Sequence, residues 1–570
     1  MVRKINSFWI FLGIFLLVLL FVFRNLFLSD FNQSLISWGD YPYVIWVINQ
    51  NVGHFKDFDF SNIFQSNIFY PHKNTLLLSD LLLPQSVIYL VISSFGKNQI
   101  ASFNILLLIT FLLNYSALFL FWKNFFKDDF LSFLGSIFFI FSPFFIKQLG
   151  HFQIMSYWPM FFSLYFLTKD NFNFKVKNVF IAGIFLAIQF LASVYLAIFL
   201  CFVSGIWFLI GFSRKNVKHT LLPFLIYFLT FFILDGFFIK GYIETKNIYK
   251  IKRPINEYIL YSAHITDYLF SDTPSLIYQS TLMKKWNSFD HHIVGEKAAF
   301  PGFLFSILFL LGFFTFIKVK NKKLIGFEFT KEKIFFLLII IIGFVFSLGP
   351  RLNVNGVYAH IPLPSYLFLK FLPMFDTIRG SARWSFLVYF GILFFILLAI
   401  KNILNSEYKF VIPIIFMIFI MEYLPVEIRA TSEKIINSDY QKLSELCNKN
   451  VLLEIPYTHL FGVDGGVVDG LKYISKVELA SLKHNCMLVN GYSGYDLPEN
   501  IAYFQTLTKS LEDSDYNFYL RQLKKRNVRY IKYNDDYVNE MDRKKYIEMF
   551  DFLVKSKKFK KITNSIYEVN

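Results

Sequence analysis

The stretch SWGDYPYVIW, Ser37 to Trp46, carries a single charge, Asp40, among Trp38, Tyr41, Tyr43 and Trp46. A carboxylate at a membrane–water boundary keeps its charge yet feels a lowered dielectric. That suits a general base, or a metal ligand, facing a lipid-borne substrate. The same aromatics also fit an interfacial belt, in which Asp40 is an ordinary loop residue. Further acids follow: Asp57 and Asp59 in KDFDF and Asp80 in LLLSD. An isolated D-x-D reads as a solvated turn and becomes a metal site only when further ligands converge.

The elements that must position these residues follow from composition. The chain has 570 residues, 55% of them hydrophobic and 76 of them Phe. Its mean hydropathy of +0.46 is too apolar for one soluble domain. Long apolar runs recur, so the fold class is a polytopic α-helical membrane protein. The expected spans are Phe8–Leu28, Ala101–Trp122, Asp129–Lys147, Phe152–Thr168, Val179–Ala192, Val194–Phe212, Leu221–Phe238, Phe300–Ile317, Ile334–Leu348, Trp384–Ile400 and Phe410–Leu424. That is about 11 transmembrane helices at roughly 20 residues each. The first run lacks a small-residue cleavage site and reads as a retained signal anchor. Leu81–Phe95, with Pro84 and Gln85, reads as a segment that dips into or lies on the outer face, with a twelfth crossing as the alternative.

The net charge is +17. Most basic residues sit in short loops (Arg3/Lys4, Lys123/Lys127, Lys169 to Lys177, Arg214 to Lys218, Lys318 to Lys333, Lys401/Lys409), which favours a topology signal over nucleic-acid binding. These loops then face the cytoplasm of a plasma-membrane protein. Outer loops 29–100, 239–299 and 349–383 belong to a membrane domain of residues 1–424. Residues 425–570 form a C-terminal extracytoplasmic α/β domain, with VLLEIPY and VRYIKY as strands and Ser510–Asn527 as a helix opened by a Ser–Asp capping pair. Of three cysteines, Cys447 and Cys486 share this tail and are able to pair.

Taken in order, these pieces resemble the GT-C superfamily of integral-membrane glycosyltransferases, which includes oligosaccharyltransferase, protein O-mannosyltransferase and aminoarabinose transferase. The carriers are Asp40 in WGDYPY and the YP segment FYPHKNTLL with Tyr70. Beyond them, FSPFFIKQLGHFQIMSYWPM, SVYLAIF, EYILYSAHITDYL, GEKAAFPG, LPMFDTIRGSARW and NGYSGYDLP are similar to a prokaryotic subgroup of that type. The resemblance implies transfer of a sugar from a polyprenyl-phosphate donor to a glycan, lipid or protein acceptor at the outer face. Asp40 is then the catalytic base or positions the acceptor. Where oligosaccharyltransferases place a second acidic motif, this chain has Gly150–His151 with Gln153.

The donor phosphate needs cations, and the planar fork of Arg suits it. Arg379 and Arg383 are the expected phosphate binders, with Arg351 nearby in sequence; membrane-edge snorkelling is the alternative. His151, Arg253, Glu257 and Tyr70 are further substrate-binding candidates. A divalent metal, Mg or Mn, would draw on Asp40, His151 or Glu296. Two rival functions remain. A flippase or transporter of lipid-linked glycans needs ionisable residues inside the spans, of which Asp235 and Glu422 are examples. A non-catalytic membrane assembly protein would be indifferent to the loss of Asp40.

Overall fold

The computed structural model describes residues 7–214, 217–270, 275–280, 282–284, 297, 299–320, 323–327, 329–354, 357–371, 375, 378–433, 438–457 and 466–570. Its chain divides into two compact units. The first comprises residues 1–28, 107–236 and 252–429, and the second residues 29–106, 237–251 and 430–570.

The first unit is helical. A helix forms within each of the eleven apolar runs. Among the described residues, five helical stretches are long and apolar enough to cross a membrane: Gln99–Phe126, Asp129–Lys147 (counted across its break), Val194–Gly211, Lys218–Ile248 and Ser381–Leu404. Three expected spans are broken instead of continuous. The first stops at Val22 and resumes as Arg24–Leu28; there the Arg24 guanidinium takes the carbonyls of Phe21 and Val426. The Asp129–Ile140 helix ends before Ser142–Pro143, and Pro143 opens the short Pro143–Lys147 helix. The next run splits into Phe152–Met155 and Trp158–Thr168, the second with Pro159 in its first turn. Proline lacks the N–H that a continuing helix needs, so it starts helices better than it extends them.

Ser385–Leu404 is buried along most of its length. Small residues let its neighbours come close. A Cβ on Gly343 would sit 2.8 Å from the backbone nitrogen of Val388. In hydrocarbon, where lipid tails compete equally for apolar contact, such close backbone packing is what holds helices together.

The second unit joins Ser29–Leu106 and Phe237–Ile251 to the C-terminal segment Ala430–Asn570. Its five-stranded sheet has the order Phe559–Lys561, Ile566–Val569, Val528–Tyr533, Val451–Ile455, Met487–Leu488. The two strands read from sequence are both present. The expected Ser510–Asn527 helix is two elements. Pro498–Glu512 ends first, Ser514 adopts a left-handed φ of 55°, and Tyr516–Lys525 begins with Asp515 accepting the Phe518 N–H at 2.9 Å. The sequence divides the chain near Leu424, whereas the contacts place Ser29–Leu106 with Ala430–Asn570. Leu83–Ser93 is helical over 11 residues, a length of about 16 Å, too short to cross alone.

Cys447 and Cys486 form a disulfide across a sequence separation of 39. Cys447→Ser is expected to destabilise this unit by about 2–5 kcal/mol. Its thermal unfolding midpoint should fall by several degrees, and an unchanged midpoint would rule out a bridge in the purified protein.

Candidate functional site

Asp40 precedes the Tyr41–Lys56 helix and is partly buried. Its carbonyl accepts the Val44 N–H at 3.0 Å, and Pro42 occupies the first turn. Two anchors fix the approach to this helix. Ser475 Oγ donates to the Gly39 carbonyl at 2.9 Å, and Trp38 Nε1 donates to the Thr431 carbonyl at 2.6 Å. The aligned peptide dipoles make a helix start the favourable end for a carboxylate.

The NGYSGYDLP stretch reaches the same helix. Tyr43 Oη and Ser493 Oγ lie 2.9 Å apart, and the Tyr43 ring meets Tyr492 edge-on at 5.4 Å. Burial pushes the Tyr43 hydroxyl well above its usual range. Glu478 is fully buried, and burial drives its carboxyl far above the usual range. The Tyr492 N–H, donated to Glu478 Oε1 at 2.6 Å, offsets only part of this. Burial therefore favours the neutral form of Glu478. Gly494 passes close to the YP segment, where an added Cβ would lie 2.6 Å from the Leu78 carbonyl oxygen. Gly494→Ala is expected to cost about 1–3 kcal/mol through this overlap; a thermal midpoint equal to wild type would refute the contact.

Tyr70 anchors the loop. Its N–H donates to the Leu488 carbonyl at 2.8 Å, and its ring packs against the core of the sheet. Asp59 is exposed and accepts from Asn62 and Ser61, with Asn62 chiefly holding its carboxyl below the usual range. The KDFDF pair is thus a solvated turn.

In the first unit the arginine candidates converge. Arg253 and Glu257 pair at 2.6 Å, and Arg379 Nε lies 3.9 Å from the same carboxylate. The Arg379 guanidinium stacks on Tyr261 at 4.5 Å and that of Arg383 on Tyr195 at 4.9 Å. Tyr195 Oη accepts the Arg379 backbone N–H at 2.7 Å, and the Ala382 N–H donates to the Tyr261 carbonyl at 3.0 Å. Arg383 is 5% exposed, whereas the Arg379 side chain is 34% exposed. Three guanidinium groups and one carboxylate leave a cationic excess of two, suited to an anion such as phosphate. Arg351 is exposed on the separate Arg351–Val354 strand.

Residue type alone did not single out Tyr195, Tyr261 or Glu478. The first two sit in SVYLAIF and EYILYSAHITDYL, where an aromatic face beside an Arg-rich turn was the available signal. His151 starts the Phe152–Met155 turn, its carbonyl accepting the Ile154 N–H at 2.9 Å. Among the described residues, no group of three or more His, Cys, Asp or Glu side chains is arranged to hold a metal ion. Glu296 lies outside the described residues. Glu422 accepts the N–H groups of Phe303 and Leu304 and the Tyr278 hydroxyl. It caps a helix, a structural role.

Residues 10–422 match the family described as Domain of unknown function (DUF6311). The chain belongs to this family. No curated protein matches it in sequence. Among solved structures, the cryo-EM structure of the arabinofuranosyltransferase AftD from Mycobacteria is similar, at 11% identity and a TM-score of 0.57, over 99% of this chain and 40% of that one. A mutant of the same enzyme gives 11% identity and a TM-score of 0.56, over 95% of this chain and 38% of that one. The archaeal oligosaccharyltransferase AglB from Archaeoglobus fulgidus gives 13% identity and a TM-score of 0.46, over 99% and 74%. The chain thus spans about two fifths of the length of the AftD chains it matches. This family member shares the fold of the AftD structure.

Proposed function

We propose that the chain is a GT-C-type glycosyltransferase that moves a sugar from a polyprenyl-phosphate donor to an acceptor at the outer membrane face. The observation that carries the reading is the convergence of Arg253, Arg379 and Arg383 around Glu257, Tyr195 and Tyr261, on a fold shared with an arabinofuranosyltransferase. The acceptor hydroxyl or amide attacks the anomeric carbon and passes its proton to Asp40. The carbon–phosphate oxygen bond breaks, and the lipid phosphate leaves with the bonding electrons. Fixed cations contribute most where this leaving-group charge develops, which is the role of Arg379 and Arg383. The Cys447–Cys486 disulfide supports an oxidising, outer location for the second unit.

The test is transfer from radiolabelled polyprenyl-phosphate pentoses and hexoses by the purified protein in liposomes. Folded protein that transfers none of them would end this reading. The transport alternative rests on Asp235, buried on Lys218–Ile248 with no hydrogen-bond partner for its carboxylate among the described residues. It predicts that Asp235→Asn stops movement of a lipid-linked glycan while Asp40→Asn does not.

A further inference from the structure

The C-terminal sheet carries a crevice unrelated to Asp40. From Val451–Ile455 the chain goes first to Met487–Leu488 on one side, then to Val528–Tyr533 on the other, both in parallel pairing. The strand order therefore reverses between Val451–Ile455 and Val528–Tyr533. In open α/β sheets, ligands bind outside the carboxyl ends of the strands at such a reversal. A cavity of about 600 Å³ opens there, lined by all six residues from Lys532 to Tyr537 as the chain runs off its strand. That volume lies within the ordinary range of small-molecule sites, roughly 300–1,000 Å³.

The lining specifies the ligand class. Four aspartates and three lysines give a net charge of −1, which disfavours an anion. One of the lysines, Lys476, is already paired with Glu433 outside the cavity. No cluster fit for a metal ion exists among the described residues. Five tyrosines line the same space, and the rings of Tyr473 and Tyr537 lie 4.6 Å apart at 39°. The polar floor is fixed: Asn534 Nδ2 donates to Glu454 Oε2 at 2.6 Å and to Tyr473 Oη at 2.8 Å, and Tyr440 Oη donates to Glu454 at 3.2 Å. Tyrosine faces beside a dense mixture of donors and acceptors match a molecule whose rings bear C–H faces and whose hydroxyls both donate and accept.

We infer that this crevice is a binding site for a neutral carbohydrate, with Tyr537 as its aromatic platform and Asp536 at its rim. The site stands whether or not Asp40 is a base. It gives the second unit a glycan-holding role separate from sugar transfer.

The test is binding of the purified full-length protein to immobilised neutral tetrasaccharides of the gluco, manno, galacto and arabinofurano series. A uronate tetrasaccharide and inorganic phosphate serve as charged probes. Saturable binding of at least one neutral series is expected. Tyr537→Ala and Asp536→Asn should each weaken it at least tenfold, while Tyr537→Phe, which keeps the ring, binds as wild type does. The inference is overturned if no neutral series binds, if both weakening variants bind as wild type does, or if a charged probe binds more tightly than every neutral one. Because Tyr537→Ala is read for binding and separately for transfer, failure of the crevice and failure of the transferase reading are distinguishable.

Discussion

Asp40→Asn is expected to lower the rate of sugar transfer about 10²–10⁴-fold, the range for removing a positioned general base. The amide is nearly isosteric and leaves the Val44 N–H bond to the Asp40 carbonyl in place. The helix should therefore still form, and the thermal midpoint should stay within about a degree of wild type. The loss should fall on kcat, because proton acceptance occurs in the transition state and not on donor binding. Asp40→Glu keeps the charge but moves it outward by a methylene, so partial activity is expected. Undiminished transfer by Asp40→Asn would remove the base from the mechanism.

Arg383→Ala is expected to cost about 10²–10³-fold in kcat, comparable to removing one preorganised donor aimed at developing charge. Arg383 is nearly fully buried against Tyr195, so truncation also removes packing. Arg383→Lys separates the two effects. It retains the charge and most of the stem while losing the planar fork and the stacking, and its loss should be smaller. A donor with a better leaving group supplies the decisive readout. With a lipid pyrophosphate sugar, the deficit of Arg383→Ala should shrink if the guanidinium stabilises leaving-group charge. An equal deficit with both donors would place Arg383 in structure alone.

Much of the scaffold was legible because hydropathy and alternation are local signals. Helices form within the apolar runs, and Val451–Ile455 and Val528–Tyr533 are strands. The breaks were not, since a window average smooths over Ser142–Pro143 and over Tyr157 to Pro159, where one missing N–H decides the outcome. The same holds for Ser510–Asn527, where the left-handed Ser514 and the cap at Asp515 override a continuous helical pattern. In the candidate site, residue chemistry pointed to Arg253, Glu257, Arg379 and Arg383. Their aromatic supports, Tyr195 and Tyr261, required tertiary contacts. Glu478 was hidden for a related reason: a carboxyl on an amphipathic helix looks solvated until burial shows otherwise.

The union of Ser29–Leu106 with the C-terminal segment bears on biogenesis. Gly39 is held by Ser475, Trp38 by Thr431 and Tyr43 by Ser493. These partners are synthesised roughly four hundred residues after the loop they grip. During translation and insertion, the helix that Asp40 begins is without those anchors, however early it emerges. A ribosome that stalls before residue 431 leaves a chain holding Asp40 but none of these three anchors. The loop bearing the carboxylate thus gains these three anchors only after Thr431, Ser475 and Ser493 have been made.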